Sequence, residues 1–481
     1  MNPKTIWQSA SDAEGKTESE RYLTKLAKKA FLSLWSYSNL FSDEGRASGK
    51  GDGNELCDLL VVFGNNVLLF SDKECKFTQH QDIMVSWSRW YKRAIEKSVR
   101  QLIGAEKFLR EHPGRIFLDK NCQTRLPLEL PSPSVATYYL IAVTRGSHEP
   151  SKMYFGGGSS GSLLIDTLID GDVHYKNPFR VGWPAANKRF IHVLDEMTLN
   201  ILLEELDTVP DIIEYLQQKE VFLTQPGVNV VVAGEEQLIA QYMLPMEGGG
   251  HAFPNIPDGV DYAAILEGYW EDYSVSSQRR AKHEANADSY FWDRLIEYQS
   301  SFIRSGEAIG ISESEMTPSD HERIVRALAD ESRLSRRLLA QHFLHALSIS
   351  EPGKKFARIA VSYTNPKRMY VFLTIPKPPG DSYEQYRKTR GEVLFAYCYG
   401  LKLKYPLAYE AVGIASEPLT EPISSQEFAY VELGDQPMAE QFSAVIQEAM
   451  DKFEILQSDT MQQKAGHDFA KAMGSASGKR N

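Results

Sequence analysis

The sequence predicts a mixed α/β protein: an N-terminal core of a helix, a β-hairpin, a second helix and closing strands, then a mostly helical middle region and a small α/β module towards the C-terminus. Three observations carry that expectation. Two apolar runs, Leu59 to Phe63 and Val67 to Phe70, flank Gly64-Asn65-Asn66, residues that accept the positive φ of a tight hairpin turn. Stretches on both sides of this hairpin repeat their apolar residues near period 3.6. From Phe356 the texture changes to short apolar runs that alternate with turns. The resulting divisions are residues 1–150, 151–350 and 351–456, with a polar tail, 457–481, expected to be disordered.

The first helix is expected from the stripe Leu23, Leu26, Ala27, Ala30 and Leu34. Thr17 and Glu20 before it have the spacing of a capping box, in which Glu20 bonds the backbone at its own helix start. Ser42 to Asn54, rich in Gly, Ser and charge, reads as a loop at the rim of a cleft.

The hairpin carries the chemistry. A two-residue turn would place Asp58 opposite the stretch from Asp72 to Glu74, so its carboxylate and theirs converge. Side chains alternate along a strand, which puts Asp72, Glu74 and Lys76 on one face and Lys73, Cys75 and Phe77 on the other. Hard cations such as Mg²⁺ take one or two carboxylates and leave positions for water and a substrate phosphate. A lysine beside such a metal positions the nucleophile or stabilises developing charge. A surface hairpin with polar ends would also carry stray charges, but strands apolar on both faces are expected to be buried.

Asp58 together with Glu74-x-Lys76 resembles the PD-(D/E)xK nuclease superfamily, over about the first 145 residues. The resemblance implies a restriction-endonuclease-like αβββαβ core. It makes Asp58 the first acid, Glu74 the second and Lys76 the lysine, with Mg²⁺ or Mn²⁺ as cofactor. The customary proline before the first acid is replaced by Cys57, and Asp72 is an additional acid on the expected metal face. Superfamily members often lend a glutamate from the first helix, for which Glu20 is placed, and a Gln or Lys from the helix after the hairpin. Lys97 and Gln101, one turn apart, are the residues so placed here, with Gln101 preferred.

That second helix is expected from Trp87 to Arg110, with Tyr91, Ile95, Val99 and Leu102 as its core stripe. Between Arg89 and Arg115 eight Lys or Arg residues stand against three glutamates, in a chain whose formal net charge is −11. Arg89, Arg93, Lys97 and Arg100 are the expected phosphate contacts, since cations meeting phosphates supply much of the affinity for nucleic acid. An ordinary solvated helix face is the alternative. Arg115 to Leu118 and Tyr138 to Val143 complete the strands, joined by the proline-rich segment 127–133.

Beyond residue 150 the sequence adds organisation without a second active site. Gly156 to Ser162 lacks the Lys-Ser/Thr ending of a phosphate loop and reads as a linker. Helical patterns follow over Asp195 to Phe222 (broken at Pro210), Ser276 to Arg304 and Pro318 to Leu347. His192 lies near Asp195 and Glu196 without a nucleophile, and His342 and His345 share a face without acidic partners, so both are expected to pack rather than react. The C-terminal module is expected as strands Phe356 to Tyr363, Met369 to Ile375 and Ala411 to Ala415 around a helix Asp381 to Tyr399, then a helix Phe442 to Leu456. Tyr383, Tyr386, Arg387, Lys388 and Arg390 interleave rings and cations as a base-stacking surface would, or as domain packing would.

No run of eighteen apolar residues and no apolar signal core near Met1 to Lys16 occur, so a cytoplasmic protein without membrane contact is expected. Cys57, Cys75, Cys122 and Cys398 show neither CxxC pairing nor zinc-ligand spacing. The reading favoured by the sequence is a Mg²⁺- or Mn²⁺-dependent nuclease acting on nucleic acid, DNA before RNA, with a protein partner or a second copy of the chain as further candidates. The resemblance implies roles in restriction, repair or defence against foreign DNA. The alternative is a non-catalytic binding or regulatory protein on the same scaffold.

Overall fold

The computed structural model describes residues 18–47, 49, 51–244, 250–305, 318–349, 353–418 and 425–457. These form two compact units divided between Ala281 and Lys282, and each mixes helices with sheet. Thr17 and the tail from 458 lie outside the described residues, as does the side chain of Glu20.

In the first unit, helix α1 (Glu18–Phe31) buries Leu23, Ala27, Ala30 and Phe31 along one side. It stops where Leu32 adopts a left-handed φ of 63°, so Leu34 of the predicted stripe is buried beyond the helix. Strands β1 (Ser36–Ser42), β2 (Asn54–Phe63) and β3 (Asn66–Lys73) then form an antiparallel meander. Helix α2 (Ile83–Tyr91) continues through a π turn (Lys92–Glu96) into α3 (Lys97–Glu111), the long helix expected after the hairpin. Next come β4 (Ile116–Phe117) and β5 (Thr137–Thr144), and β5 lies parallel to β3 from Asn66–Thr137 to Lys73–Thr144.

Both faces of this sheet are covered. On one, Trp87, Trp90, Tyr91, Ile95, Val99 and Leu102 pack with Leu60, Val62, Val67, Leu69 and Leu140. On the other, Phe31 of α1 meets Phe70 with ring centroids 5.8 Å apart. Strands buried on both faces have no polar side to alternate with, which is why β2 and β3 read as unbroken apolar runs.

The region 151–350 differs from the mainly helical expectation. It holds β6 (Leu164–Asp170), β7 (Arg180–Trp183), β8 (His192–Asp195), β9 (Asn229–Val232) and β10 (Tyr262–Ile265). Strand β8 pairs parallel with β5 and extends the first sheet to the order β4-β1-β2-β3-β5-β8, so residue 150 is not a boundary. The others form a second sheet, β10-β9-β6-β7. Most are four residues long, too short for a period of two to show in the sequence.

The same unit holds helices α4 (His148–Tyr154), α5 (Glu196–Glu205), α6 (Val209–Leu223) and α7 (Glu235–Tyr242). The expected break at Pro210 falls earlier. Thr208 caps α6, and Pro210 sits in its first turn, where its missing N–H costs nothing. The expected linker Gly156 to Ser162 is packed in its second half: Gly156 to Gly158 are exposed, but Ser159 and Ser162 are buried, and the Ser160 N–H donates to Glu267 Oε1 at 3.1 Å.

The second unit centres on β11 (Phe356–Val361), β12 (Arg368–Thr374), β13 (Glu410–Ser416) and β14 (Gln426–Glu432), in that order, with β12 and β13 parallel. The helix Tyr383–Lys404 connects that parallel pair, and Glu440–Lys452 packs beside it. The two predicted long helices before this sheet are each divided. One runs Ser277–Asn286 and Tyr290–Ser305 with a 3₁₀ turn between, the other Pro318–Ala329 and Arg333–Ser348 with Ser332 capping the latter.

Of the interleaved rings and cations of this unit, Tyr386 and Arg390 are buried and Arg387 and Tyr383 are tied to buried acids, while Lys388 is exposed. Arg390 is fully buried and pairs with Glu417 at 2.7 Å and with Glu427, Arg387 pairs with Glu427 at 2.6 Å, and the Tyr383 hydroxyl donates to Glu417 at 2.6 Å. His342 and His345 each present Nδ1 to the Arg358 guanidinium, at 2.8 and 2.7 Å, an arrangement that suits no metal. Asp293, unassigned from sequence, pairs with Arg333 at 2.9 Å and Arg336 at 2.7 Å. Among the described residues no helix is long and apolar enough to cross a membrane.

One indole secures the end of the first sheet. Trp90 Nε1 donates to the carbonyls of Cys75 (3.1 Å) and Arg145 (3.0 Å), just past the ends of β3 and β5. Trp90→Phe keeps most of the buried area and strands both carbonyls, so it is expected to lower stability by about 1–3 kcal/mol in urea unfolding. A loss below about 0.5 kcal/mol would show that the indole N–H carries no such role.

Candidate metal centre at the ends of β2 and β3

The hairpin turns on Gly64-Asn65, with Gly64 at φ 57°, and pairs Phe63 with Asn66 and Leu59 with Phe70. Continuing that register puts Asp58 across from Ser71, not across from Asp72 to Glu74 as expected. A turn shorter by one residue slides every pair, and in a strand that exchanges the faces. The β2–β3 ladder ends at Leu59–Phe70, whereas β3 stays paired with β5 through Lys73. The two hairpin strands therefore part at this point.

Asp58 sits where they part and is only 5% exposed. Its Oδ2 accepts the Asp72 N–H at 2.6 Å, replacing the next backbone bond of the lost ladder, and it lies 3.5 Å from Lys73 Nζ. Burial pushes the Asp58 carboxyl up to about 7, Lys73 opposes this, and the carboxyl of Glu55 reinforces it through a shared hydrogen bond. Two carboxyls and an ammonium thus meet at one point. Glu55 reaches Asp58 because β2 carries a bulge: Leu40 pairs with Cys57 but Phe41 with Glu55, leaving Leu56 as the extra residue. Bulges of this kind re-aim side chains near functional sites.

The other expected residues distribute as follows. Strand β3 ends at Lys73, and Glu74 and Lys76 lie beyond it, exposed, so the face they were expected to share with Asp72 does not form. Asp72 shares its face with Phe70 and α1, and Arg145 clamps it in two hydrogen bonds of 3.0 and 2.8 Å. Burial raises its pKa, and the Arg145 guanidinium holds the rise back. Tyr22 of α1 lies against that guanidinium, 5.9 Å from its ring centroid. Asp72 is committed to this pair and lends the Asp58 site its backbone N–H. Gln101 does arrive from α3, its Oε1 accepting the Ser71 hydroxyl at 2.9 Å. Cys75 lies among Lys73, Arg93 and Lys97, with burial raising its thiol above the ordinary range, which fits packing rather than reactivity.

Along the helix the cations fall into two sets. Arg89, Lys92, Arg93, Lys97 and Arg100 are exposed, and none has a carboxylate partner among the described residues. Farther on, Arg110 pairs with Glu106 at 2.9 Å and Lys107 approaches Glu111 at 4.0 Å. Arg93 also donates to the carbonyls of Arg89 (3.3 Å) and Lys76 (3.4 Å), which ties the strand extension to the helix.

Glu55, Lys73 and Arg145 were not singled out for these places by the sequence. Lys73 follows from the slipped register alone. Glu55 depends on a bulge with no sequence signature, and Arg145 on a long-range pairing. Comparison with family models, curated proteins and solved structures found no match.

Protonation of Asp58 gives a stability signature. Its pKa is higher in the folded protein than in the unfolded chain, so its contribution is full below about pH 4 and is lost as pH rises through about 7. Across that window the urea midpoint of the wild type is expected to fall relative to that of Asp58→Asn. Parallel pH profiles for the two proteins would refute the buried, raised carboxyl.

Proposed function

We propose that the protein is a metal-dependent nuclease that hydrolyses phosphodiester bonds, DNA before RNA, with Asp58 and Glu55 holding Mg²⁺ or Mn²⁺ and Lys73 as the lysine of the site. The observation that carries this reading is the meeting of a buried Asp58, the Glu55 carboxyl and the Lys73 ammonium where β2 leaves β3. The donor set fits a hard divalent cation: such an ion takes carboxylate oxygens and displaces a proton from them on binding. A cation held there supplies charge that polarises the attacked phosphate and acidifies the attacking water.

The chain's own groups do the rest. Lys73, partly exposed beside Asp58, is placed to steady the nucleophile or the developing negative charge. Gln101 fixes Ser71 at the position facing Asp58. Arg89, Arg93, Lys97 and Arg100, without acidic partners among the described residues, give the phosphate backbone a row of cations to follow. The order helix, three antiparallel strands, helix and a strand parallel to the third supports the resemblance to the PD-(D/E)xK superfamily, and with it a role in restriction, repair or defence against foreign DNA. Relative to that pattern the assignment moves from Glu74 and Lys76 to Glu55 and Lys73.

One observation favours the second reading, a non-catalytic nucleic-acid-binding protein. Ser71 occupies the position across from Asp58 where the third strand would offer its acid. A cleavage screen separates the two. Purified protein with Mg²⁺ or Mn²⁺ is expected to cut at least one of single- or double-stranded DNA or RNA and to stop with a chelator. Asp58→Asn and Lys73→Met are expected to lose about 100-fold or more in rate, while Glu74→Gln and Lys76→Gln stay within about threefold of wild type. Equal cutting by Asp58→Asn would sink the nuclease assignment. Binding without cutting under every condition would favour the scaffold.

The basic row has its own measurement. Changing Arg93 and Lys97 together to Ala is expected to weaken nucleic-acid binding without regard to sequence, and to reduce the salt dependence of log K by about 2. An unaltered salt slope would place the phosphate contacts elsewhere.

A further inference from the structure

We propose a ligand site in the first unit, independent of the nuclease reading: a pocket between β6, β7, β8 and α6 that takes an uncharged, largely apolar small molecule by its carbonyl group. The pocket encloses about 440 Å³, solvent at its mouth included, a size common among small-molecule sites. Leu163, Val181 and Leu223 line it as buried residues, whereas Ile165, Trp183 and Phe190 are half-buried, so it reaches solvent. The rings of Trp183 and Phe190 meet edge to face with centroids 5.9 Å apart, an apolar corner for the body of a ligand.

The pocket has a cause in the backbone. Strand β6 pairs Ile165 with Val181 and Asp170 with Trp183, so residues 166–169 stand against Gly182 alone and the strand bows. Gly182 fits beneath the bow because it has no side chain: a Cβ there would stand 2.1 Å from Ile169 O and 2.2 Å from Asp166 O. Side chains hold the bow in place. Trp183 Nε1 donates to Thr167 O at 3.0 Å, the Leu168 N–H to Asp166 Oδ1 at 3.1 Å, and Arg180 to Asp166 Oδ2 at 3.2 Å. Thr167, Gly182 and Trp183 line the pocket, so this wall is a fixed feature of the sheet rather than a packing fault.

The polar side chains of the wall have donors to offer. Lys219 of α6 is the only ionisable residue among those lining the pocket and is 2% exposed. Among the described residues its ammonium donates to Glu235 Oε2 alone, at 2.5 Å, although an ammonium carries three N–H groups. The Thr167 hydroxyl accepts the Val230 N–H at 2.8 Å and donates to no acceptor among the described residues. The Gly182 N–H is already taken, by His174 Nε2 at 3.1 Å. Unused donors in an apolar wall favour a ligand that brings an acceptor. Glu235 already balances Lys219, so a carboxylate added here would be a buried charge without a partner of its own. An ammonium would meet Lys219 as a like charge. A carbonyl on an apolar body satisfies the donors and adds no charge.

The test compares probes of like shape. Full-length protein is titrated with benzylacetone, hydrocinnamate and phenylpropylammonium, a ketone, a carboxylate and an ammonium, by ligand-observed NMR. Benzylacetone is expected to bind saturably and at least about tenfold more tightly than either charged probe. Ile165→Trp, which fills the pocket from a half-buried position, is expected to weaken benzylacetone about tenfold or more while circular dichroism stays native. Lys219→Met made together with Glu235→Gln removes the donor without stranding its partner and is expected to weaken benzylacetone about fivefold; it decides the matter should the filled variant fail to fold. No saturable binding of benzylacetone, a charged probe bound equally or more tightly, or unchanged benzylacetone affinity in either folded variant would overturn the proposal.

Discussion

The pairing of β3 with β5 outlasts its pairing with β2, and the candidate site follows from that difference. The parallel ladder runs to Lys73–Thr144, while the antiparallel ladder stops at Leu59–Phe70. Beyond that point β3 has a partner on one side only, and its free Asp72 N–H must be satisfied within a covered sheet. The Asp58 carboxylate does so at 2.6 Å. A buried carboxylate is thereby fixed by the backbone it replaces, and Lys73 on the next residue supplies the nearest positive charge. Trp90 keeps the arrangement from relaxing, since its indole holds the carbonyls just past β3 and β5.

Strand alternation then separates two ion pairs that adjoin in sequence. Asp72 points towards α1 and is neutralised by Arg145 in a two-pronged contact, with Tyr22 against the guanidinium. Lys73 points the other way, to Asp58. The Asp72–Arg145 pair is geometrically complete and shielded, so it fixes the sheet end. The Asp58–Lys73 pair is longer, shares its carboxylate with Glu55, and leaves Lys73 partly exposed. An unfinished pair at a strand end, one partner of which reaches solvent, is the more natural place for chemistry.

Much of this was legible in the sequence, and what was missed has identifiable causes. Gly64-Asn65 flanked by apolar runs specified the hairpin, and Tyr91, Ile95, Val99 and Leu102 specified the covering helix, because turn chemistry and helical period are local signals. Asp58 and Gln101 do lie at this end of the sheet, Asp58 bonded to the Asp72 N–H and Gln101 to Ser71. The partner residues differ from the expected ones. A single-residue difference in turn length moved the face from Glu74 and Lys76 to Ser71 and Lys73, and the bulge at Leu56 brought in Glu55. Strand β8 and the second sheet escaped notice because four-residue strands carry too little alternation. Arg387 and Arg390, both paired with the buried Glu427, looked like a binding surface because spacing along a helix does not tell which face meets the sheet.

The charge on the α2–α3 helix bears on which reading of the site is favoured. A chain of net charge −11 has acids to spare, and where stability alone is served its cations acquire them, as Arg110, Lys107 and Arg115 do with Glu106, Glu111 and Asp43. Arg89, Lys92, Arg93, Lys97 and Arg100 have acquired none among the described residues, although Glu96 stands among them and is instead engaged by the Tyr175 hydroxyl. Five uncompensated cations on one helix repel one another, a modest cost that packing does not require and that an external polyanion would offset. Two of these cations, Lys97 and Arg100, lie within about one turn of Gln101, the residue that bonds Ser71 opposite Asp58. A scaffold that only bound nucleic acid would use such a row as well. A buried carboxyl beside a second acid and a lysine is the feature on which the proposed nuclease reading, rather than the scaffold, rests.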